Sequence, residues 1–180
     1  DLDIHPRDSS ILFSSSLSGV LPDYMVNPPG VKEHLEQSGS IKNIDPEAVS
    51  GVYKSTDGGG SWRRVLETVS EAKGVEIDRE NPDRVFAADM KGGVWVSTDG
   101  GESWRQENEG LGSTSMTSVK VRGKRIYAST QGSGVYAGII AWDGSIRWLP
   151  ERSNKPKAQG STIQIEGDPE NPNRIFAAHY

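Results

Sequence analysis

The feature that most constrains this chain is an internal repeat. Ser55-Thr56-Asp57-Gly58-Gly59-Gly60-Ser61-Trp62 returns as Ser97-Thr98-Asp99-Gly100-Gly101-Glu102-Ser103-Trp104, about 42 residues on. The residues ahead of it match as well, Gly51-Val52-Tyr53-Lys54 against Gly93-Val94-Trp95-Val96. A worn third copy, Ala141-Trp142-Asp143-Gly144-Ser145-Ile146-Arg147-Trp148, keeps the Asp-to-Trp spacing. A second motif is interleaved with the first. Asp78-Arg79-Glu80-Asn81-Pro82-Asp83-Arg84-Val85-Phe86-Ala87-Ala88 returns as Asp168-Pro169-Glu170-Asn171-Pro172-Asn173-Arg174-Ile175-Phe176-Ala177-Ala178, with reduced versions ending in Ile11-Leu12-Phe13 and Arg125-Ile126-Tyr127-Ala128.

Each unit reads as four short strands. In the best-preserved unit these are about Gly74–Asp78, Arg84–Ala88, Gly93–Ser97 and Ser103–Gln106, separated by Asn-Pro-Asp and Thr-Asp-Gly-Gly turns of the kind tight hairpins need. The 21 glycines and 10 prolines, with no long apolar run, suit many short elements. A period of about 42 with four strands is the signature of a β-propeller. The fold class is therefore all-β: four-stranded antiparallel blades, about three and a half of them across residues 1–180. The units run about 1–72 with an inserted loop at 21–50, then 73–110, 111–156 and an incomplete 157–180. A meander reaching only a fourth second strand does not close a ring, so the remaining blades are expected from the same longer chain or a partner chain.

In the first motif Asp57 or Asp99 is expected to accept hydrogen bonds from backbone N–H groups two residues on, while glycine takes the positive φ. Ser55 or Ser97 can bond across the turn, and Trp62 or Trp104 folds back as a plug between sheets. These turns resemble the Asp boxes of the BNR/Asp-box propellers, which include sialidases, xyloglucanase-type glycoside hydrolases, sortilin-like receptor domains and photosystem II assembly factors. The resemblance covers nearly everything except Leu21–Ser50. It implies a structural role for Ser55, Asp57, Gly59, Trp62, Ser97, Asp99, Gly101, Trp104, Asp143 and Trp148, on the side away from the active face. A lone aspartate among glycines also lacks the several further oxygen ligands of a calcium site, so no metal is expected.

Antiparallel succession places the 1–2 and 3–4 turns at one end of the blades and the 2–3 and 4–1 connections at the other. Both recurring motifs occupy the first end, so variation and function are sought at the second. The largest departure, Leu21–Ser50, is a 2–3 connection with about thirty extra residues. Its start, Leu21–Gly30, reads as extended, and Val31–Gln37 as a short helix. Tyr24 and His34 in it are candidate ligand-binding residues, although His34, with Glu33 and Glu36, reads equally as a solvated helix side. Aligning the units puts Ser16, Asp89, Gln131 and His179 where strand 2 leaves towards this end, and Gln131 and His179 join the ligand-binding candidates. The resemblance to xyloglucanase-type hydrolases implies a catalytic carboxylate at Asp89, in Asp89-Met90-Lys91-Gly92-Gly93; the other reading is a polar strand-end residue. Hydrolysis needs a second carboxylate about 5–10 Å away, and no partner is assignable. Trp142, with Tyr136, is a candidate for stacking on a sugar, with box or core packing as the alternative.

The net charge of −5, without a basic stripe, argues against nucleic acid. With 0 cysteines the chain has no disulfide, thiolate nucleophile or zinc-thiolate site. No stretch approaches the roughly 18 apolar residues of a membrane span, and no signal peptide is recognisable in Asp1–Ile4. No cofactor is expected, and the expected setting is secreted or cell-surface, in a prokaryote. Three functions remain open at this point: a carbohydrate- or protein-binding module acting through the face with the 21–50 loop, a glycoside hydrolase, and an assembly scaffold.

Overall fold

A computed structural model describes residues 1–16, 50–150, 162–168, 171 and 174–179. They form fourteen strands in chain order: β1 Leu2–Ile4, β2 Leu12–Ser16, β3 Gly51–Ser55, β4 Arg63–Glu67, β5 Ala72–Ile77, β6 Val85–Asp89, β7 Gly93–Ser97, β8 Arg105–Gln106, β9 Met116–Arg122, β10 Arg125–Thr130, β11 Gly134–Ile140, β12 Ile146–Trp148, β13 Thr162–Gly167 and β14 Ile175–His179. Consecutive strands pair antiparallel into three four-stranded meanders, β1–β4, β5–β8 and β9–β12, followed by the pair β13–β14. This is the all-β blade architecture that the repeat implies. The fourth strand of the second blade begins at Arg105 instead of Ser103, because Ser103 belongs to the turn, its N–H and hydroxyl both bonded to Asp99.

Register repeats with the sequence. Leu12 pairs with Ser55 and Ser16 with Gly51 in the first blade, as Val85 pairs with Ser97 and Asp89 with Gly93 in the second. Strand 2 of the first blade thus hands over to strand 3 across residues 17–50. The extended and helical segments expected there, with Tyr24 and His34, lie outside the described residues.

The core lies between blades. Phe13, Val52 and Leu66 of the first blade pack against Val75, Ile77, Val85 and Ala87 of the second. Phe86, Ala88, Val94 and Val96, from the opposite face of the second blade, pack against Met116, Val119, Val121, Ile126 and Ala128 of the third. A middle blade is therefore covered on both faces. Its strand 2, Val85-Phe86-Ala87-Ala88, accordingly lacks the polar alternation of a one-sided strand. The flank without a described neighbour behaves differently: Leu2 and Ile4 are 53% and 45% exposed, whereas Val75 and Ile77, their counterparts in β5, are fully buried.

Phe86 is fully buried between the second and third blades. Phe86→Ala should lower the unfolding free energy by about 3–5 kcal/mol, measured by equilibrium denaturation, through lost transfer and the cavity left behind.

Candidate functional site

The two best-preserved turns have one geometry. Ser55 Oγ accepts from Gly59 N at 2.9 Å and donates to Asp57 Oδ1 at 2.8 Å. Asp57 in turn accepts from Ser61 N at 2.9 Å and Ser61 Oγ at 2.6 Å. In the second copy Ser97 Oγ accepts from Gly101 N at 2.8 Å, and Asp99 accepts from Ser103 N at 2.9 Å and Ser103 Oγ at 2.5 Å. The aspartates reach N–H groups four residues on, not two, because two successive glycines at φ 72° and 93°, or 69° and 88°, curl the chain over the carboxylate. These hydrogen bonds, the serine hydroxyl foremost, hold both carboxyls below the usual carboxylate range, at about 2. Each indole N–H closes its own turn, Trp62 onto Gly59 O and Trp104 onto Gly101 O, both at 3.1 Å. Trp104 is half-buried against the first interblade core, but Trp62, with no described blade against it, is 40% exposed instead of plugged between sheets.

The third copy is a different turn. Asp143 Oδ1 accepts from Ser145 N and Oγ at 3.0 and 2.7 Å, two residues on, and β12 begins at once with Ile146. Trp148 is a strand residue buried in the second interblade core, its N–H donated to Glu107 O at 2.7 Å. The shared spacing thus joins an Asp and a Trp that do not cooperate. The Asn-Pro turns do repeat: Asp78 N donates to Arg84 O and Arg84 N to Asn81 O, as Asp168 N does to Arg174 O and Arg174 N to Asn171 O. Gly100 N donates to Asp83 O, and Gly58 N to Ser10 O, tying the two turns of each blade together at one end.

At the other end stands Asp89, with no solvent exposure. Its carboxylate accepts from Val69 N at 2.6 Å and Ser70 N at 3.1 Å, in the connection arriving from the first blade. It also accepts from Lys91 N at 3.0 Å and Trp95 Nε1 at 3.3 Å, across its own hairpin. A Cβ on Gly92 would sit 2.2 Å from Asp89 Oδ2, so the hairpin closes over the carboxylate only with glycine there. Four donors fill the acceptor capacity of the group. In the third blade the residue at Asp89's register is Thr130, paired with Gly134 as Asp89 is with Gly93; Gln131 lies one residue further, exposed in the turn. The Arg125-Ile126-Tyr127-Ala128 match already fixes that register. Thr130 is also buried and closes its hairpin, its hydroxyl donating to Gly134 O and accepting from Ser133 N. His179 ends β14 at the equivalent place, opposite Thr162. Trp142, 91% exposed, stands on the β11–β12 turn, at the end opposite Asp89. Tyr136 is buried in the second interblade core.

One row of residues escaped the sequence reading. Asp3, Glu76, Lys120 and Glu166 hold the same position in the first strand of each blade, each opposite an aromatic residue of strand 2, namely Phe13, Phe86, Tyr127 and Phe176. Asp3 Oδ2 accepts from Ile77 N at 2.7 Å, capping an N–H on the open edge of the next blade. Glu76 pairs with Lys120 at 3.1 Å and Arg122 at 3.2 Å, and Lys120 reaches Glu166 at 3.6 Å. These side chains line a cleft of about 420 Å³. Burial pushes the Glu76 carboxyl up, opposed in part by Lys120. A charged residue between apolar ones at matched positions of every unit is the signal that could have revealed this row.

The pKa shifts set opposite pH responses. The box aspartates are depressed from 3.8, so their contribution to stability is complete above that value and is lost as the pH falls through about 2. Glu76 is raised from 4.5, so stability from this group falls as the pH rises past its ordinary value. Asp99→Asn should flatten the acid limb of the stability curve, and Glu76→Gln the decline above it, in denaturation at a series of pH values.

No protein-family model matches the chain, and no curated protein matches it in sequence. Solved structures do match. An ancestral GH74 enzyme superposes with a TM-score of 0.61 and 17% identity over 99% of this chain. The GH74 enzyme of Niastella koreensis gives 0.61 and 19% over 98%, and the GH74 xyloglucanase from Xanthomonas campestris 0.61 and 15% over 99%. The chain spans 21%, 24% and 26% of the length of those three. At such identities the likeness is one of fold: the described residues form a stretch of β-propeller blades.

Proposed function

We propose that this chain is the ligand-binding part of an Asp-box propeller, taking carbohydrate or protein at the end where strand 2 hands over to strand 3. Asp89 carries the reading. A glycosidase carboxylate must reach a glycosidic oxygen, an anomeric carbon or an attacking water. Asp89, the one acidic residue that the resemblance puts forward, is buried and filled by four donors that join two blades and close a hairpin. Such a group supports a surface and does not react at it. The length of the strand 2 to strand 3 connection also supports this end: 17–50 in the first blade against Met90–Gly92 in the second. A carbohydrate ligand draws support from the fold shared with GH74 enzymes, one of them a xyloglucanase.

A second reading, a glycoside hydrolase, is favoured by the same likeness, which covers 98–99% of this chain. Its carboxylates would then lie among other residues of the whole protein. The discriminating experiment is a screen of the intact protein against xyloglucan, β-glucan and sialyl substrates, for hydrolysis and for retention on immobilised polysaccharide. Retention without turnover is the expected result. Turnover that Asp89→Asn abolishes, in a variant whose circular dichroism is unchanged, would sink the binding reading and return Asp89 to catalysis. Asp89→Ala should lower the unfolding free energy by about 1–3 kcal/mol, because part-buried N–H groups lose their acceptor.

A further inference from the structure

The chain holds three Asp-Gly pairs, Asp57-Gly58, Asp99-Gly100 and Asp143-Gly144, each with its glycine at positive φ. Such a pair can close on itself, because glycine has no side chain to shield its amide nitrogen from the preceding carboxyl. The pairs share their two residues, so what separates them is what holds the carboxylate and the nitrogen.

In the two boxes both groups are held. Asp57 accepts from Ser55 Oγ and Ser61 N on Oδ1, and from Ser61 Oγ on Oδ2. Asp99 has the same set from Ser97 and Ser103, with Glu102 N added at 3.0 Å. The glycine nitrogens are drawn away into a different turn: Gly58 N donates to Ser10 O at 2.9 Å and Gly100 N to Asp83 O at 2.8 Å. The bonds to the carboxylates also keep them ionised down to about pH 2, whereas ring closure has to expel a hydroxyl from a protonated carboxyl.

The third pair lacks these restraints, for reasons within its own blade. Ala141 stands where the boxes begin with Ser55 and Ser97, so no hydroxyl reaches back to Asp143. Its two hydrogen bonds both come from Ser145 and both fall on Oδ1. The β9–β10 turn is the short Gly123-Lys124, without the Asn-Pro motif, and Lys124 O already accepts from Ile140 N at 2.9 Å. Gly144 N therefore donates inside its own turn, to Ala141 O at 3.1 Å. Asp143 itself is exposed.

We propose that Asp143 is a site of spontaneous covalent modification, at which aspartate isomerises to isoaspartate. Gly144 N attacks Asp143 Cγ and a C–N bond forms. Cγ expels its hydroxyl, which takes up the nitrogen's proton through solvent and leaves as water. A water then opens the cyclic imide. Attack at Cγ restores aspartate; attack at the α-carbonyl carbon leaves the main chain running through the β-carbon. One water is released and one consumed, and nothing is oxidised or reduced. The lengthened chain does not fit the turn. Gly144 packs so closely on the second blade that an added Cβ would lie 2.6 Å from Thr98 Cγ2. Arg84 and Arg105 hold Ala141 O and Asp143 O at 3.1 and 2.9 Å from the same side. Isomerisation thus loosens the second blade's grip on the third.

Trypsin separates the three pairs into peptides 55–63, 92–105 and 126–147, each with a single aspartate. The test ages the intact protein in mildly acidic heavy-oxygen water, then digests it and reads label by mass and isoaspartate by chromatographic shift. Label and isoaspartate should accumulate in 126–147 well beyond the other two peptides. The difference should be lost when ageing is done in denaturant, and the product should be lost in Asp143→Glu, whose side chain would have to close a larger ring. The melting temperature should fall as isoaspartate accumulates. Equal or greater labelling of either box peptide in the native protein would overturn the proposal, as would an unlabelled 126–147. A difference that survives denaturant would place the preference in local sequence and would overturn it too. Aged protein rich in isoaspartate that melts with the fresh sample would overturn the loosening.

Discussion

A four-stranded antiparallel blade is too thin to hold a core of its own, and the placing of the core among the described residues follows from that constraint. Blade against blade is where Phe13 and Phe86 are buried. The first strand also leaves a bare edge, whose N–H groups need acceptors that the sheet does not supply. Asp3 answers this by reaching over to Ile77 N of the next blade. Contacts between blades run both ways: Lys54 reaches forward to Gly100 O, and Arg79 reaches back to Ile4 O. Stability in such a chain is a sum of neighbour terms, and a flank without a neighbour is exposed by construction.

Four charged residues recur at one position in the first strands of the described blades. The row Asp3, Glu76, Lys120 and Glu166 changes sign at its third member. Lys120 cannot accept an N–H as a carboxylate can, and it bridges Glu76 and Glu166 instead. Glu76 is nearly as buried as the core around it, and its two cations only partly offset the desolvation. By contrast, Asp57 and Asp99 are exposed, and each serves as a local template for its own turn. The same residue type thus does two jobs, separated by whether its donors come from the next few residues or from the next blade.

That separation also explains what could be read from the sequence. The blade repeat, the four strands per unit and the register of the first two blades were legible because the turn motifs are local and recur almost unchanged; in the third blade the alignment set Gln131 where the structure has Thr130. The third unit shows where legibility ends. Its Asp143 and Trp148 keep the spacing of a box, but the turn between them is shorter and the Trp serves a different interface. For Asp89 the resemblance implies a catalytic carboxylate through the Asp-to-Gly-Gly pattern that follows it, and a polar strand-end residue is the other reading. Two of the donors around it, Val69 N and Ser70 N, arrive from about twenty residues upstream and carry no side-chain signature.

Under the proposed reading Asp89 clamps two blades together and does not react. Amide hydrogen exchange on the intact protein, resolved to Val69 and Ser70, tests it most directly. The account predicts strong protection of both amides in the native protein, although Val69 is an exposed residue, and selective loss of that protection in Asp89→Ala. Fast exchange at both positions in the native protein would show a carboxylate free of these donors, and would contradict the account.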